Sequence, residues 1–236
     1  MMAQQTIYDE ATVLYRKEVK GGIKFHGHGW GFHFTKGYQK AVNEILQINV
    51  SLASMKHPKE TKSYNPWYEN AKPYIYGKQN SFYVLRPSIG KHKILTYKHR
   101  KSGVQFGYNW AIGPSLGLTK PIYLEIGKPT IPYDYIVVEE YDASEHFIED
   151  IFGRASWSRG ISELQLHPGV YGKFGFLVEY SGEQTGIRGL ETGISLDAYP
   201  KDIPIMTDEF DQISEVDNKR FFLNFYLNLF LGKKYN

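Results

Sequence analysis

The segment 219–234 constrains the fold more than any other part of the chain. Large apolar residues occupy every second position, namely Phe221, Leu223, Phe225, Leu227, Leu229 and Leu231. A mixed polar and aromatic row lies between them, namely Phe222, Asn224, Tyr226, Asn228 and Phe230. This period-two pattern predicts a strand about as long as a membrane-spanning β-strand, with one face toward lipid. The closing strand of an outer-membrane β-barrel has this pattern.

The same alternation recurs upstream and predicts eight strands in all. We expect them at about 12–26, 29–37, 43–57, 80–98, 103–122, 162–181, 186–199 and 218–234. Parity separates the first two, because the apolar residues are odd-numbered from Val13 to Phe25 and even-numbered from Trp30 to Phe34. A tight turn is therefore expected at Gly27-His28-Gly29.

The connections between these strands alternate in length. Short ones are expected at 38–42, 99–102 and 182–185, and long ones at 58–79, 123–161 and 200–217, with the 27–29 turn at the same end as the long loops. In outer-membrane barrels the short turns face the periplasm and the long loops face outside. The pattern predicts an all-β, eight-stranded antiparallel up-and-down transmembrane β-barrel with long extracellular loops. Its expected location is the bacterial outer membrane, with both termini periplasmic.

Smaller elements are expected outside the barrel wall. Within 123–161, residues 133–138 predict a strand and residues 144–150 predict a short helix with Ser144 as its N-cap. Residues 1–11 are expected to be an N-terminal periplasmic segment or the remnant of a signal peptide, and residues 12–236 the barrel.

Composition removes several classes of function. The net charge of +3 gives no support for a nucleic-acid partner. The chain has no Cys, which excludes disulfides, thiolate nucleophiles and Cys-based zinc sites. No stretch of about 18 apolar residues is present, so a membrane-spanning helix is not expected.

Charged residues of lumen parity form the first candidate site. The interior of an eight-stranded barrel is only wide enough to be filled by side chains, and charges buried there must pair. We therefore expect a salt-bridged polar core rather than a proton or ion path. Its predicted members are Arg16, Glu18, Lys20, Lys24, Arg86, Glu163, Lys173, Glu179 and Glu191.

The loop after the third strand is the second candidate site. Exposed aromatic and amide side chains suit contact with a protein or a sugar, although an aromatic girdle at the membrane surface explains the tyrosines nearest the strand equally well. The candidate partner-contact residues are Lys56, His57, Lys59, Trp67, Tyr68, Tyr74 and Tyr76.

Three weaker constellations are weighed against ordinary interpretations. His26, His28 and His33 invite a metal site, but histidines beside a turn are common. A solvated acidic loop is favoured over calcium for Asp208, Glu209, Asp211, Glu215 and Asp217. No catalytic triad, phosphate loop or cofactor motif is recognised, so an enzyme is not expected. The minor alternative left open is a barrel that acts on lipids and uses His92, His99 or His167.

Lys91 and Lys93 interrupt the apolar row Tyr83, Leu85, Pro87 and Ile89. A lysine that faces lipid at the bilayer midplane costs about 2–4 kcal/mol. The favoured explanation is a bulge at Pro87 that resets the register, and the alternative is a wall that faces a protein partner.

The chain resembles the small outer-membrane β-barrel proteins of Bacteroidota. The resemblance is carried by Lys56-His57-Pro58-Lys59-Glu60, by Tyr76-Gly77-Lys78-Gln79-Asn80 and by the closing segment 225–235. In general form it looks like the eight-stranded barrels of the OmpA, OmpX and OmpW type. The resemblance implies partners, namely membrane lipid or lipopolysaccharide and a larger outer-membrane protein or lipoprotein complex. Accessory barrels of this kind accompany the β-barrel assembly and type IX secretion machineries.

Three hypotheses follow for function. The leading one is a non-enzymatic barrel that acts as an accessory or scaffold subunit through its long loops. The second is a stand-alone small channel, or a barrel that binds a ligand or surface. The third is a soluble lipocalin-type barrel, which would turn the Phe221 to Leu231 row inward and the Asn224 and Asn228 row outward.

Overall fold

A closed eight-stranded barrel forms the body of the protein. The computed structural model describes residues 16–97, 103–129, 131–180, 185–207 and 217–236. Numbered in chain order, the barrel strands are β1 (Lys17–His26), β2 (Gly29–Ala41), β3 (Glu44–Met55), β4 (Asn80–Thr96), β5 (Gln105–Pro121), β9 (Gln165–Glu179), β10 (Gly186–Ala198) and β11 (Phe221–Tyr235). Each strand pairs antiparallel with its neighbours, and β11 closes onto β1. The predicted all-β up-and-down barrel is confirmed.

The predicted strands match the observed ones closely. The parity change is a hairpin, in which His26 of β1 lies opposite Gly29 of β2. β2 runs to Ala41, so the next turn is shorter than the expected 38–42 connection. Residues 1–15, which include the predicted N-terminal segment, and the predicted 99–102 turn lie outside the described residues, as does 182–184.

Side chains on β11 point as the alternation predicts. The apolar row faces outward, with Phe225 76% and Leu231 64% exposed, whereas Asn224 and Asn228 point inward and are 2% and 1% exposed. A soluble ligand-binding barrel requires the opposite arrangement. The orientation of β11 therefore contradicts the lipocalin-type hypothesis.

The register determines the dimensions of the barrel. A path that starts at His26 and steps from each residue to its partner on the next strand goes once around the barrel and ends at Arg16, just before β1. The stagger is therefore 26 − 16 = 10 residues. The intermediate positions are Tyr226, Gly193, Gly175, Asn109, His92, Ile45 and Gln39. A stagger of this size on eight strands corresponds to a strand tilt of roughly 40°. Such a barrel is narrow enough for side chains to fill it.

Apolar side chains close the barrel at the long-loop end. Ile203, Ile205 and Met206, from the connection between β10 and β11, pack on Phe82 and Phe222 of the wall. The backbone N–H groups of Gln79 and Asn80 both donate to the carbonyl oxygen of Ile205 at 3.1 Å, which ties two loops together over the opening. At the short-turn end, Leu177, Ile187 and Phe230 form a smaller apolar cluster.

A separate three-stranded sheet stands on the long-loop end. It consists of β6 (Tyr123–Lys128), β7 (Tyr135–Glu140) and β8 (Ile151–Arg154), in the order β7-β6-β8. Its core contains Leu124, Ile126, Tyr141 and Ile151, together with Tyr74 from the loop after β3. We call this sheet, with the loops that pack on it, the loop domain. Within the described residues, no helix is both long enough and apolar enough to cross a membrane.

The two predictions inside the 123–161 loop had different outcomes. The strand expected at 133–138 is confirmed as β7, two residues further along. The helix expected at 144–150 is wrong, because this stretch forms two turns. The Asp142 carboxylate accepts hydrogen bonds from the backbone N–H and the hydroxyl of Ser144, which makes a local Asx turn instead of a helix cap.

The bulge expected at Pro87 is also wrong. The register of β4 with β3 is continuous from Phe82 opposite Met55 to Lys93 opposite Glu44, and the irregularity of β4 lies between Ile94 and Thr96. Pro87 cannot donate a hydrogen bond, so pairing with β5 lapses there and then resumes in the same register. Lys91 and Lys93 consequently face outward.

Both lysines lie at the short-turn end, where β3 begins at Glu44. The ammonium group of Lys91 forms an ion pair with the Glu44 carboxylate at 2.8 Å. A lysine at this edge extends its charged end away from the apolar belt, so the cost that applies at a bilayer midplane does not arise there.

Candidate functional site

A fully buried ion pair lies in the half of the barrel interior that is nearer the long-loop end. Arg86 of β4 donates from Nε to Oδ1 of Asp197 at 2.8 Å and from Nη2 to Oδ2 at 2.7 Å. The Arg86 and Asp197 side chains are 1% and 0% exposed. Ser115 adds a third hydrogen bond to the carboxylate at 2.7 Å. The Arg86 guanidinium also lies over the ring of Tyr171, 5.1 Å from its centroid.

A second charged cluster surrounds Glu191 on β10. Its carboxylate pairs with the ammonium group of Lys173 at 2.8 Å and accepts hydrogen bonds from the Tyr226 hydroxyl and the Asn228 amide. Lys24 of β1 donates to the Tyr171 hydroxyl at 3.2 Å and lies 4.3 Å from the centroid of the Tyr226 ring. Residues from four consecutive strands of the wall, β9, β10, β11 and β1, therefore form this cluster.

Two more ion pairs lie toward the short-turn end. Glu18 pairs with Lys20 on the same strand at 2.6 Å, and Gln47 donates to the same carboxylate at 3.4 Å. Glu179 pairs with Lys234 at 3.0 Å. Along the barrel axis, paired charges thus alternate with aromatic rings from one end to the other.

Two of the predicted lumen residues lie elsewhere. Glu163 is exposed on a short 3₁₀ turn (Ile161–Glu163) before β9 and accepts a hydrogen bond from Tyr123, because β9 begins later than the parity pattern indicated. Arg16 is exposed at the end of the barrel before β1. Conversely, the sequence analysis missed Asp197, although it shares lumen parity with Glu191 on the same strand.

These side chains leave little free space inside the barrel. The interior pocket between Lys20, His33 and Asn109 has a volume of about 10 Å³. A single water molecule needs roughly 10–15 Å³ measured in this way. Around Lys20, His33 and Asn109 the interior is therefore a packed polar core. Apolar clusters close the barrel at the long-loop end and at the short-turn end.

The histidines do not assemble a metal or catalytic site in the described part of the chain. His28 hydrogen-bonds the Asn224 side chain at 2.5 Å, and no group of three potential metal ligands lies together among the described residues. His92 is 1% exposed inside the barrel, so a lipid on the outer wall cannot reach it, and His167 is hydrogen-bonded to Thr119 at 2.9 Å. His99 and four of the acidic residues, Asp208, Glu209, Asp211 and Glu215, lie outside the described residues.

The candidate contact residues of the loop after β3 divide into two groups. Lys56 is exposed and Trp67 is 50% exposed, whereas Tyr74 is 2% and His57 8% exposed.

The buried and half-buried members hold the loop domain together. Tyr68 stacks on Tyr133 with ring centroids 5.1 Å apart, Tyr76 packs against the core of the loop domain, and Lys59 donates its backbone N–H to the His57 ring. The carbonyl oxygen of Asp217, at the end of the last long loop, lies 3.3 Å from the other ring nitrogen of His57.

The loop domain carries its own charged cluster outside the barrel. Glu139 of β7 accepts hydrogen bonds from the ammonium group of Lys128 and from Nε2 of His146, the latter at 3.2 Å. The hydrogen bond from Lys128 lowers the pKa of Glu139 below its ordinary value of 4.5. Burial raises the pKa of Tyr74 to about 12, which keeps this phenol neutral in the core beneath the sheet.

Comparison with known proteins gives fold-level similarity only. Neither a protein-family model nor a curated protein matches the chain. Neisserial surface protein A is similar at 8% identity over 93% of this chain and 96% of its own, with a TM-score of 0.44. Ail, the attachment invasion locus protein of Yersinia pestis, has 6% identity over 94% and 100%, with a TM-score of 0.43. Outer membrane protein OprG from Pseudomonas aeruginosa has 9% identity over 93% and 96%, with a TM-score of 0.35.

We predict that Asp197→Ala strongly destabilises the barrel. The substitution leaves the Arg86 charge buried without a partner, a defect that costs about 3–5 kcal/mol. The free energy of unfolding, measured by urea titration of the refolded protein, should fall by this amount. The control is the double variant Arg86→Met/Asp197→Leu, which removes both charges and should recover most of the loss. Equal destabilisation of both variants would contradict a role for charge compensation.

We predict that acid loosens the loop domain before it affects the barrel. Because the folded-state pKa of Glu139 is lowered, its stabilising contribution is present above its ordinary pKa of 4.5 and is lost as the pH falls through the folded value. Hydrogen exchange in β6 and β7 should therefore accelerate as the pH is lowered below 4.5, compared at matched intrinsic exchange rates. In Glu139→Gln this dependence should be weaker. An unchanged pH profile in the variant would show that another group is responsible.

Proposed function

We propose that this chain is a non-enzymatic integral outer-membrane β-barrel that serves as an accessory or scaffold subunit of a larger membrane complex. The observation that carries the proposal is a filled, capped barrel that supports a structured loop domain. The barrel would anchor the protein in the membrane and the loop domain would contact a partner, since the interior offers little room for a solute to pass.

The outer wall supports the membrane location. The apolar row of β11 runs ten residue steps from Phe221 to Leu231. With a rise of about 3.3 Å per residue and a tilt of roughly 40°, this row spans a height of about 25 Å. The apolar band of outer-membrane barrels has the same height. Exposed apolar side chains continue the belt around the wall, for example Phe32 (53%), Leu52 (48%), Ile112 (57%) and Phe176 (56%).

The interior argues against the small-channel alternative. Arg86 pairs with Asp197 across the lumen, Lys173 pairs with Glu191 of the neighbouring strand, and apolar side chains close both ends. Neither feature suits conduction, which needs a continuous wet path and accessible charges. The stand-alone alternative that survives is a barrel that binds a surface or ligand through the loop domain alone.

The accessory role is supported by the loop domain and by the sequence resemblance. The loop after β3 and the connection between β5 and β9 form one folded body with its own core, which is more structure than a stable barrel requires. The resemblance to Bacteroidota barrels adds a class of partner, namely the outer-membrane machineries for barrel assembly or protein secretion. Membrane lipid or lipopolysaccharide is the proposed surrounding of the belt.

The membrane location is tested by Phe225→Arg. If the belt faces lipid, this change near the middle of the row should lower the free energy of unfolding in bilayers by about 2–4 kcal/mol. The protein should also require detergent for solubility and show heat-modifiable mobility on gels. Leu231→Arg, at the edge of the same row, should cost clearly less. A monomer that is soluble in plain buffer, with equal effects of the two variants, would refute the membrane location.

The accessory role is tested by purification from the native membrane in mild detergent. We expect recovery in stoichiometric association with a larger outer-membrane protein. The same preparation, inserted into planar bilayers after removal of the partner, should show no steady conductance. Recovery as a lone barrel would refute the accessory role, and recovery as a lone barrel with conductance would support the channel alternative.

A further inference from the structure

The β7 strand lies at an open edge of the loop domain. The sheet order is β7-β6-β8, and no second strand pairs with β7 in the described part of the chain. Tyr135 is 58%, Ile136 45% and Val138 42% exposed. An exposed edge strand with apolar side chains is a template for pairing with another chain.

The pattern of hydrogen bonds between β6 and β7 shows which backbone groups of β7 point away from β6. The N–H of Tyr141 donates to the carbonyl oxygen of Ile122 at 2.8 Å, and β6 and β7 continue in the same register from Tyr123 opposite Glu140. In an antiparallel pair, hydrogen-bonded and non-hydrogen-bonded pairs alternate. The odd residues of β7 therefore bond to β6. The N–H and C=O groups of Ile136, Val138 and Glu140 point away from the sheet.

The opposite edge of the same sheet is covered. The backbone N–H of Arg154, on β8, donates to the carbonyl oxygen of Lys72 at 3.4 Å, so the loop after β3 runs along that edge. A side-chain Cβ added at Gly153 would lie 2.7 Å from the same carbonyl oxygen, which shows how closely the loop approaches. Only one edge of this small sheet is thus available within the described residues.

Apart from the carboxylates of Glu139 and Glu140, the β7 sequence lacks the devices that usually protect an edge. It reads Tyr-Ile-Val-Val-Glu-Glu, without Pro, Lys, Arg or Gly, and its pairing with β6 has no bulge. Natural edge strands are normally blunted by such residues or by a bulge. Ile136 and Val138 also lie on the face of the sheet opposite Val137, which packs into the core, so their exposure does not serve the core of the loop domain.

Charge restricts what can pair there. Carboxylates occur within and beside the strand, at Asp134, Glu139, Glu140 and Asp142, whereas the neighbouring cation Lys128 is already bonded to Glu139. Opposite charges across a strand pair stabilise it and like charges destabilise it. Antiparallel pairing of two copies about Val138 would set Asp134 of one against Asp142 of the other. A second copy paired along the whole strand in this register is therefore disfavoured.

We propose that β7 is the docking edge for an extended, basic segment of a partner protein, which adds a fourth strand to the loop domain. Backbone groups of the segment bond to Ile136, Val138 and Glu140, and its apolar side chains cover Ile136 and Val138. A Lys or Arg of the segment faces Glu140, because Glu139 is already paired with Lys128. The inference rests on the proposed accessory role and places the contact surface on β7 rather than on Trp67 and its neighbours.

The experiment uses the complex purified from native membranes and the variant Val138→Pro. Proline removes the outward-pointing N–H without breaking a bond to β6, so the loop domain should still fold. Loss of this bond and obstruction of its neighbours should weaken partner retention roughly tenfold. Val138→Lys, which keeps the backbone and adds a like charge, should have a similar effect. Trp67→Ala is the matched control on the same end of the barrel and should retain the partner.

Photocross-linking identifies the occupant. A benzophenone side chain at Ile136 should cross-link to a protein segment with alternating apolar residues and Lys or Arg, whereas the same group at exposed Val42, on the opposite end of the barrel, should not. Hydrogen exchange at Ile136 and Val138 should slow in the complex.

The outcomes separate the two proposals. If the wild type forms the complex but Val138→Pro retains it and hydrogen exchange in β6 shows that the loop domain is folded, the docking edge is wrong and the accessory role stands. A cross-link to a second copy also overturns the proposed occupant. If the wild type is recovered alone from native membranes, the accessory role fails and the docking edge fails with it.

Discussion

Closure of eight strands with a stagger of ten residues is the constraint on which the rest of the structure depends. It determines the interior width, which admits side chains and little else. Since the outer wall is apolar, the polar row of every strand must be satisfied inside this narrow space. Arg86 pairs with Asp197 across the lumen, and Lys173 pairs with Glu191 of the neighbouring strand, which helps to meet that requirement. The same narrowness leaves little free space between the side chains around Lys20, His33 and Asn109.

The other distinctive features of the molecule lie on its surfaces. The wall is a lipid-compatible belt, and the long-loop end carries a folded body whose core is separate from the barrel interior. Two of the predicted contact residues of the loop after β3, Tyr74 and His57, are buried within that body. The unprotected edge of β7 is the place where the loop domain departs from the usual protection of soluble sheets.

Sequence alternation was informative wherever a strand had one apolar and one polar face. It located all eight barrel strands and the orientation of the β11 row, because a one-residue error in parity would exchange the two faces. It failed at Pro87, where a missing N–H interrupts one ladder without adding a residue. The helix predicted from Ser144 is absent, because the Asp142 carboxylate accepts a hydrogen bond from the Ser144 N–H and forms a turn there. Glu163 was assigned to a strand but lies on a 3₁₀ turn before it.

The sequence by itself determined the barrel class, the strand count and which face of each strand meets the outside, since these follow from local periodicity. Tertiary structure decided which charges are paired, because Asp197 lies 111 positions from Arg86 and only closure of the barrel brings them to 2.7 Å. It likewise decided that one edge of the loop domain is covered by Lys72 while β7 remains open. Such contacts depend on how distant segments fold over one another, which no local pattern records.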